Sequence, residues 1–301
     1  MLRIEDVERV RVVTLDRPEA LNAFNEALYD ATAEALVDAA VATDVAVVVI
    51  TGAEGRAFSA GTDVVEMAAR TSGEVESGRY GFPGMVDVLA AFPKPLICAV
   101  NGLALGIGAT IIGFADLALM STAARVRCPF TDLAVAPEAA SSFTFPQLLG
   151  RQQATWMLMS SEWFSGAECV EMGLAWKLCE PDELMPEAMA AATVLARKSI
   201  ASLVESKRTI VAAQRDAVDA ARARENAAFQ KLLGAPASLE AFAALGARRE
   251  PDFVSVDAAN PVDLSEYEAY LCGSPGLLEA CIDVLTRLGM PKEHIYYDKF
   301  T

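Results

Sequence analysis

Apolar residues come in short β-branched runs in the first half of the chain and at helical spacing in the second. Val10 to Leu15 predicts a strand, closed by Arg17-Pro18 because the residue before a proline is pushed away from the helical region. Leu28, Ala31, Ala35, Leu36 and Ala39 recur at helical spacing, so a helix is expected from Glu26 to about Ala42 with Asn25 as its N-cap. Val45 to Thr51 is a continuous apolar run ended by Gly52, the pattern of a strand buried on both faces. Thr62-Asp63 is placed to cap a helix carrying Val64, Val65 and Met67. The polar, glycine-rich segment Thr71 to Gly84 is expected to be the most mobile part of this half.

Pro95 to Ala115 is apolar except for Asn101 and Thr110, long enough for a membrane span. Pro95, Asn101 and glycines 102, 106, 108 and 113 divide it instead into a strand Leu96 to Val100, a tight turn, and a buried helix near Gly106 to Phe114. A helix around Met85 to Phe92 precedes it and a strand Leu117 to Met120 follows. The alternation predicts an α/β domain with parallel strands and crossover helices. Helices are then expected near Arg151 to Met159, Gly166 to Met172 and Pro186 to Lys198, with a long amphipathic one from Ile200 to Leu233. Such a helical region often packs on a neighbouring subunit. Phe253 to Glu268 reads as an acidic linker, and Ala269 to Thr301 as a separate strand, helix and strand. The expected division is an α/β core over 1–198, a helical region over 199–252, and a linker with a tail fragment over 253–301.

Composition narrows the function. The 301 residues are 53% hydrophobic, ample for a large core. A net charge of -16 argues against nucleic acid or an anionic membrane as partner, while leaving room for a local basic patch on a phosphate-bearing ligand. Six cysteines without a CxxC pair and a single histidine, His294, make no metal cluster and suit a reducing compartment. The charged start MLRIEDVERV is unlike a secretory signal, so a cytoplasmic location is expected.

Two glycine-flanked turns, Ala60-Gly61 and Gly106-Ile107-Gly108, each precede an expected helix. Helix N-termini carry unpaired N–H groups at the positive end of the dipole. Two of them facing one point would form an oxyanion hole; alone, the glycines better suit tight turns without a ligand. No GxGxxG, Walker or GxSxG motif occurs.

The ordered motifs RPEALNAF, VVVITGAEGRAFSAGTD and KPLICAVNGLALGIG resemble the crotonase family, the enoyl-CoA hydratase and isomerase superfamily, over about Val7 to Phe253. The resemblance implies a ClpP-like fold of repeated ββα units, trimers or hexamers, and an acyl-CoA thioester substrate, with coenzyme A part of the substrate and no separate cofactor. It also implies an oxyanion hole from the N–H groups of Ala60 and Ile107, with Ala60, Gly61, Thr62 and Asp63 bordering the coenzyme. The family's hydratases use two glutamates; the corresponding positions here are Thr110 and Phe130. The segment PFTDLAVAPEAASSFTFP is instead similar to peroxisomal-type 3,2-enoyl-CoA isomerases, whose single catalytic glutamate falls on Glu138, and the GIGAT turn also resembles that branch. An allylic shift needs only one carboxyl, taking a proton from C2 and returning it to C4. The apolar company of Phe130, Val135, Phe143 and Phe145 would raise its pKa by desolvation. The rival readings are another crotonase reaction, hydration or thioester hydrolysis, and a non-catalytic acyl-CoA-binding protein.

Asp132 is expected to be solvated or capping, and Asp63 to cap a helix. Lys207 and Arg208 could meet a coenzyme phosphate, but a solvated helix face is the simpler expectation. His294 is given no catalytic role. Residues 268–301 resemble the C-terminal end of ferredoxin-reductase-like flavoproteins at Tyr270, Cys272, Gly273, Pro275 and Phe300. Without a flavin barrel or most of a nucleotide-binding sheet, no flavin, NAD or redox activity is expected there.

Overall fold

In the computed structural model, which describes residues 1–71, 74–260, 264–265 and 267–299, the apolar runs of the first half become strands of two sheets. The chain divides into two units, Met1–Leu233 and Gly234–Thr301.

The first unit begins with a hairpin, β1 (Leu2–Val7) and β2 (Val10–Leu15), then α1 (Glu26–Val41), whose N-cap is Asn25. Three strand pairs follow, each giving one strand to each sheet and then turning into a helix. They are β3 (Val47–Gly52) and β4 (Ala57–Ser59) with α2 (Val64–Thr71) and α3 (Gly81–Ala91); β5 (Leu96–Val100) and β6 (Leu103–Leu105) with α4 (Ile107–Thr110); and β7 (Leu117–Ser121) and β8 (Arg125–Arg127) with α5 (Ser141–Leu149). After α6 (Arg151–Ser160) come β9 (Phe164–Ser165), α7 (Gly166–Met172), β10 (Lys177–Cys179), α8 (Leu184–Ala196), α9 (Ile200–Val211) and α10 (Arg215–Leu232). The larger sheet has the order β1-β2-β3-β5-β7-β10, the smaller one β4-β6-β8-β9. Among the described residues, β1/β2 and β8/β9 pair antiparallel and the other neighbours in these two sheets pair in parallel.

The period-two alternation of a strand explains why both faces of the large sheet are apolar. Val48, Ile50, Cys98, Val100 and Met120 join the main core with α1 and α3, while Val47, Val49, Ile97, Ala99 and Leu119 pack with Leu184, Ala188 and Ala192 of α8.

Several expected elements end differently, each for a local reason. The turn at Asn101 does not lead straight into a helix. The Asn101 amide donates to Gly52 O at 2.7 Å, tying β5 to the end of β3, and the chain then pairs as β6 beside β4 before α4 begins. Helix α3 starts at Gly81 rather than near Met85, because the Asp30 carboxylate accepts the N–H groups of Arg79, Tyr80 and Gly81 at 2.7–2.9 Å. Residues 72–73 of the glycine-rich segment lie outside the described residues. The expected single helix from Ile200 to Leu233 is interrupted by a 3-10 turn at Ala212–Gln214.

In the second unit, α11 (Pro236–Ala247) and α12 (Phe253–Ala259) precede β11 (Ala269–Gly273), α13 (Pro275–Arg287) and β12 (Ile295–Lys299). The expected linker is thus helical over its first half, capped by Asp252 accepting from Ser255 N at 3.0 Å. Strands β11 and β12 pair in parallel, with Tyr270 stacked on Tyr296 at 5.0 Å. Phe300 lies outside the described residues. No helix among the described residues is long and apolar enough to cross a membrane.

A buried lysine fixes one corner of the core. Lys94, 2% exposed, donates to the carbonyls of Ala39, Ala42 and Val45 at 2.6–2.7 Å, and its own carbonyl accepts from Lys207. Lys207 also pairs with Asp116 at 2.7 Å, so it neither faces solvent nor has an ammonium free for a phosphate. Replacing Lys94 by Met leaves the carbonyls of Ala39, Ala42 and Val45 without their donor. The expected loss is about 3 kcal/mol or more in chemical denaturation; a loss below about 1 kcal/mol would mean that these bonds contribute little.

Candidate active site

The first turn of the site is built by two segments far apart in sequence. The RPEALNAF loop passes Leu21 and Asn22 through left-handed conformations at φ 52° and 57°. Asn22 donates its amide to Ala57 O at 2.8 Å, and Leu21 O accepts the Ala60 N–H at 2.9 Å. Phe24 N donates to Gly61 O at 2.7 Å and Asp63 N to Phe24 O at 2.8 Å. Ala60 therefore does not offer the free donor expected of it, because its N–H is spent on Leu21. The bridge through Phe24 uses the peptides on either side of Thr62 and leaves the Thr62 N–H without an acceptor among the described residues. Asp63 caps α2, accepting from Val65 N and Glu66 N at 3.1 and 3.2 Å, and pairs with Arg17 at 2.8 Å. Against the upward push of burial, Arg17 and these N–H groups hold its carboxyl below the usual range.

The second turn is Leu105 to Gly108. Gly106, at φ 50°, donates to Arg127 O and accepts from Ala109 N and Thr110 N at 2.9 Å, so the Ile107 N–H at the start of α4 has no acceptor among the described residues. The two turns approach each other closely at their glycines. A Cβ on Gly108 would lie 2.4 Å from Ser59 O, and one on Gly61, itself at φ 92°, 3.0 Å from Leu105 O.

Glu138 joins them. Its Oε1 lies 3.8 Å from where a Gly106 Cβ would stand, a position itself 3.9 Å from Gly61 Cα. The residue comes from the loop between β8 and α5, and is followed by Ala139 and Ala140 at φ 55° and 57°. The residue is only half-buried, but its carboxyl end is deep enough that burial, and next the nearby Glu225 carboxylate, push its pKa up to about 8. Phe130, Val135 and Phe145 are buried in the main core, as their apolar pattern predicts, but the charge of Glu225 was not foreseen.

Thr110 is fully buried, its hydroxyl unpartnered among the described residues, and Phe130 is 3% exposed; neither position supplies a carboxylate. Asp132 is an exposed partner of Arg127, and Arg208 pairs with Glu205 at 3.1 Å on the surface. The described residues hold no group of three or more His, Cys, Asp or Glu able to take a metal. The geometry offers two free backbone donors on abutting turns and one carboxyl with a raised pKa. Those are the parts needed to move a proton next to a developing oxyanion.

Residues 5–255 match the model of the enoyl-CoA hydratase/isomerase family. The chain belongs to that family. Its two sheets of successive ββα units are the crotonase fold. Among the relatives of this enoyl-CoA hydratase/isomerase family member is the 1,2-epoxyphenylacetyl-CoA isomerase of Escherichia coli (strain K12), 30% identical over 81% of this chain and 94% of that protein. The 2,3-dehydroadipyl-CoA hydratase of the same strain is 32% identical over 82% of this chain and 95% of that protein. A crystal structure of an enoyl-CoA hydratase from Mycobacterium marinum is 61% identical, covers 70% of this chain and 98% of that one, and superposes with a TM-score of 0.67.

The raised pKa of Glu138 makes a stability prediction with a definite sign. The folded carboxyl keeps its proton up to about pH 8, whereas its ordinary value is 4.5, so between these limits the unfolded chain binds fewer protons and stability falls as pH rises. Glu138→Gln escapes that loss. Its melting temperature should exceed that of the unaltered protein by roughly 3 °C or more at pH 8.5, with the gap closing towards pH 5. A gap that stays constant with pH would place the carboxyl in water.

Proposed function

We propose that this enzyme is a 3,2-enoyl-CoA isomerase, converting a 3-enoyl-CoA to the 2-trans isomer with Glu138 as its one acid and base. The observation that carries this reading is the convergence of the Glu138 carboxyl on the two turns while Thr110 and Phe130 occupy the positions of the hydratase glutamates. The thioester oxygen would sit against the N–H groups of Thr62 and Ile107. Glu138 removes a proton from C2, the charge spreads into a dienolate, and the same carboxyl delivers the proton to C4. Each preorganised N–H contributes roughly 3 kcal/mol to holding the enolate oxygen. A base with a pKa of about 8 is stronger than an ordinary carboxylate, and this suits a weakly acidic C–H.

Coenzyme A enters as part of the substrate, and no separate cofactor is needed. A cytoplasmic homo-oligomer, a trimer or a pair of trimers, is part of the same proposal. All three tryptophans, Trp156, Trp163 and Trp176, are more than 40% exposed in the single chain, and residues of that size are usually covered. The second unit is proposed to bind neither flavin nor nicotinamide, since among the described residues its sheet has two strands.

Hydration is the second reading, favoured by the hydratase names of the E. coli and M. marinum relatives. Offering the enzyme 3-enoyl-CoA and 2-enoyl-CoA separately, with products resolved by chromatography and mass, divides the two. Isomerisation leaves the mass unchanged, and Glu138→Gln should lower its kcat by about a thousandfold. Exclusive formation of a 3-hydroxyacyl-CoA would overturn the isomerase reading, and unaltered turnover in Glu138→Gln would overturn the base assignment.

A further inference from the structure

Glu225, on α10, is 5% exposed, and no cation pairs with it among the described residues. Its two carboxylate oxygens instead accept the N–H of Ala140 at 2.7 Å and of Ser142 at 2.8 Å. These peptides form the N-terminus of α5, whose N-cap, Ala140, has no side chain able to cap it. First-turn N–H groups lack helical partners and favour a negative charge. Glu225 thus replaces the missing cap from 85 residues away.

What it caps is the turn that carries Glu138. Ala139 and Ala140 both hold left-handed conformations that alanine seldom adopts, so the surroundings must enforce them. The far side of the turn is closed by Ser141, whose N–H and hydroxyl both donate to Glu138 O, at 3.0 and 2.7 Å. With Glu225 on one side and Ser141 on the other, the path from Glu138 to Ser142 has little freedom, and the direction of the Glu138 side chain follows from it.

We infer that Glu225 is a positioning residue, which locks the 138–142 turn and thereby aims the Glu138 carboxyl at the Gly61 and Gly106 turns. The inference rests on the reading of Glu138 as acid and base. Its charge acts as well as its geometry. The titratable groups facing Glu138 are Glu225 and the Cys128 thiol, itself raised by burial and then by Glu138. One turn earlier on α10, Arg222 is occupied by Asp87 of α3. Removing the charge of Glu225 should therefore make Glu138 a weaker base.

Glu225→Gln removes the charge and one of the two acceptors. In the folded variant, kcat should fall about ten- to a hundredfold with KM within about threefold, and the acid limb of the pH profile should move down by on the order of one unit. Glu225→Asp keeps the charge but is one methylene short of spanning both N–H groups; kcat should fall while the limb stays near its original pH. Carbon-13 NMR titration of the Glu138 carboxyl, assigned with Glu138→Gln, reads the same shift without substrate. A downward shift in Glu225→Gln supports the coupling even if the reaction proves to be hydration or if Glu138→Gln stays active, an outcome that overturns the base assignment alone. If kcat is within twofold of normal and the Glu138 titration does not move in folded Glu225→Gln, the inference is wrong. The same holds if Glu225→Asp is indistinguishable from the unaltered protein.

Discussion

The site depends on two backbone turns packing closely against each other at glycines. Gly108 lies so close to Ser59 that a single added carbon would meet the Ser59 carbonyl at 2.4 Å, and Gly61 faces the Leu105 carbonyl across a similarly narrow gap. Because each turn ends a strand of the small sheet, the register of β4 on β6 carries the contact. This makes the two free N–H groups a property of the fold rather than of flexible loops. Preorganised donors are effective because they need no rearrangement when charge develops.

Much of the large sheet was legible because its inner strands β2, β3, β5 and β7 run five or six residues and are largely buried on both faces. Val10 to Leu15 and Leu96 to Val100 have their expected boundaries. The small sheet was not, since β4, β6 and β8 span three residues each, too short for any periodicity to declare itself. Helix α5 was hidden by a run of serines, a threonine and Pro146, and by having no capping side chain of its own. Of the candidate site, the two turns come from local glycine patterns and Glu138 from the family resemblance, and the structure brings the three together. Which peptide on the first turn stays free was not legible, because it is decided by Leu21, a residue brought in from another loop that satisfies Ala60 and spares Thr62. Glu225 was invisible for the same reason: on an amphipathic helix one glutamate looks like another until the fold shows which is buried.

Charge is used differently on the two sides of the molecule. Around Lys94 and Lys207, buried ammonium groups meet carbonyls and Asp116, so burial is offset by hydrogen bonds. Around Glu138 the balance is left uneven. Glu225 is satisfied by two peptide donors, while the carboxyl of Glu138 is buried near a like charge and pushed towards neutrality. An imbalance of this kind lowers stability, and sites that must exchange protons near neutral pH are where proteins tolerate it.

Among the described residues the carboxylate that acts on Glu138, Glu225, is held by two peptide donors, and on the proposed reading the want of a second available carboxyl limits the chemistry more than the presence of the first one enables it. Adding water across a double bond requires one group to activate the water and another to protonate carbon, or one group to do both while holding the water in place. An allylic shift requires only that one base reach two carbons of the same chain in turn, with the oxyanion fixed throughout. Thr110 and Phe130, both buried and neither ionisable, contribute no proton. On the proposed reading, a carboxyl on a turn held from both sides, beside donors held by two strands, serves the step that needs only one mobile proton.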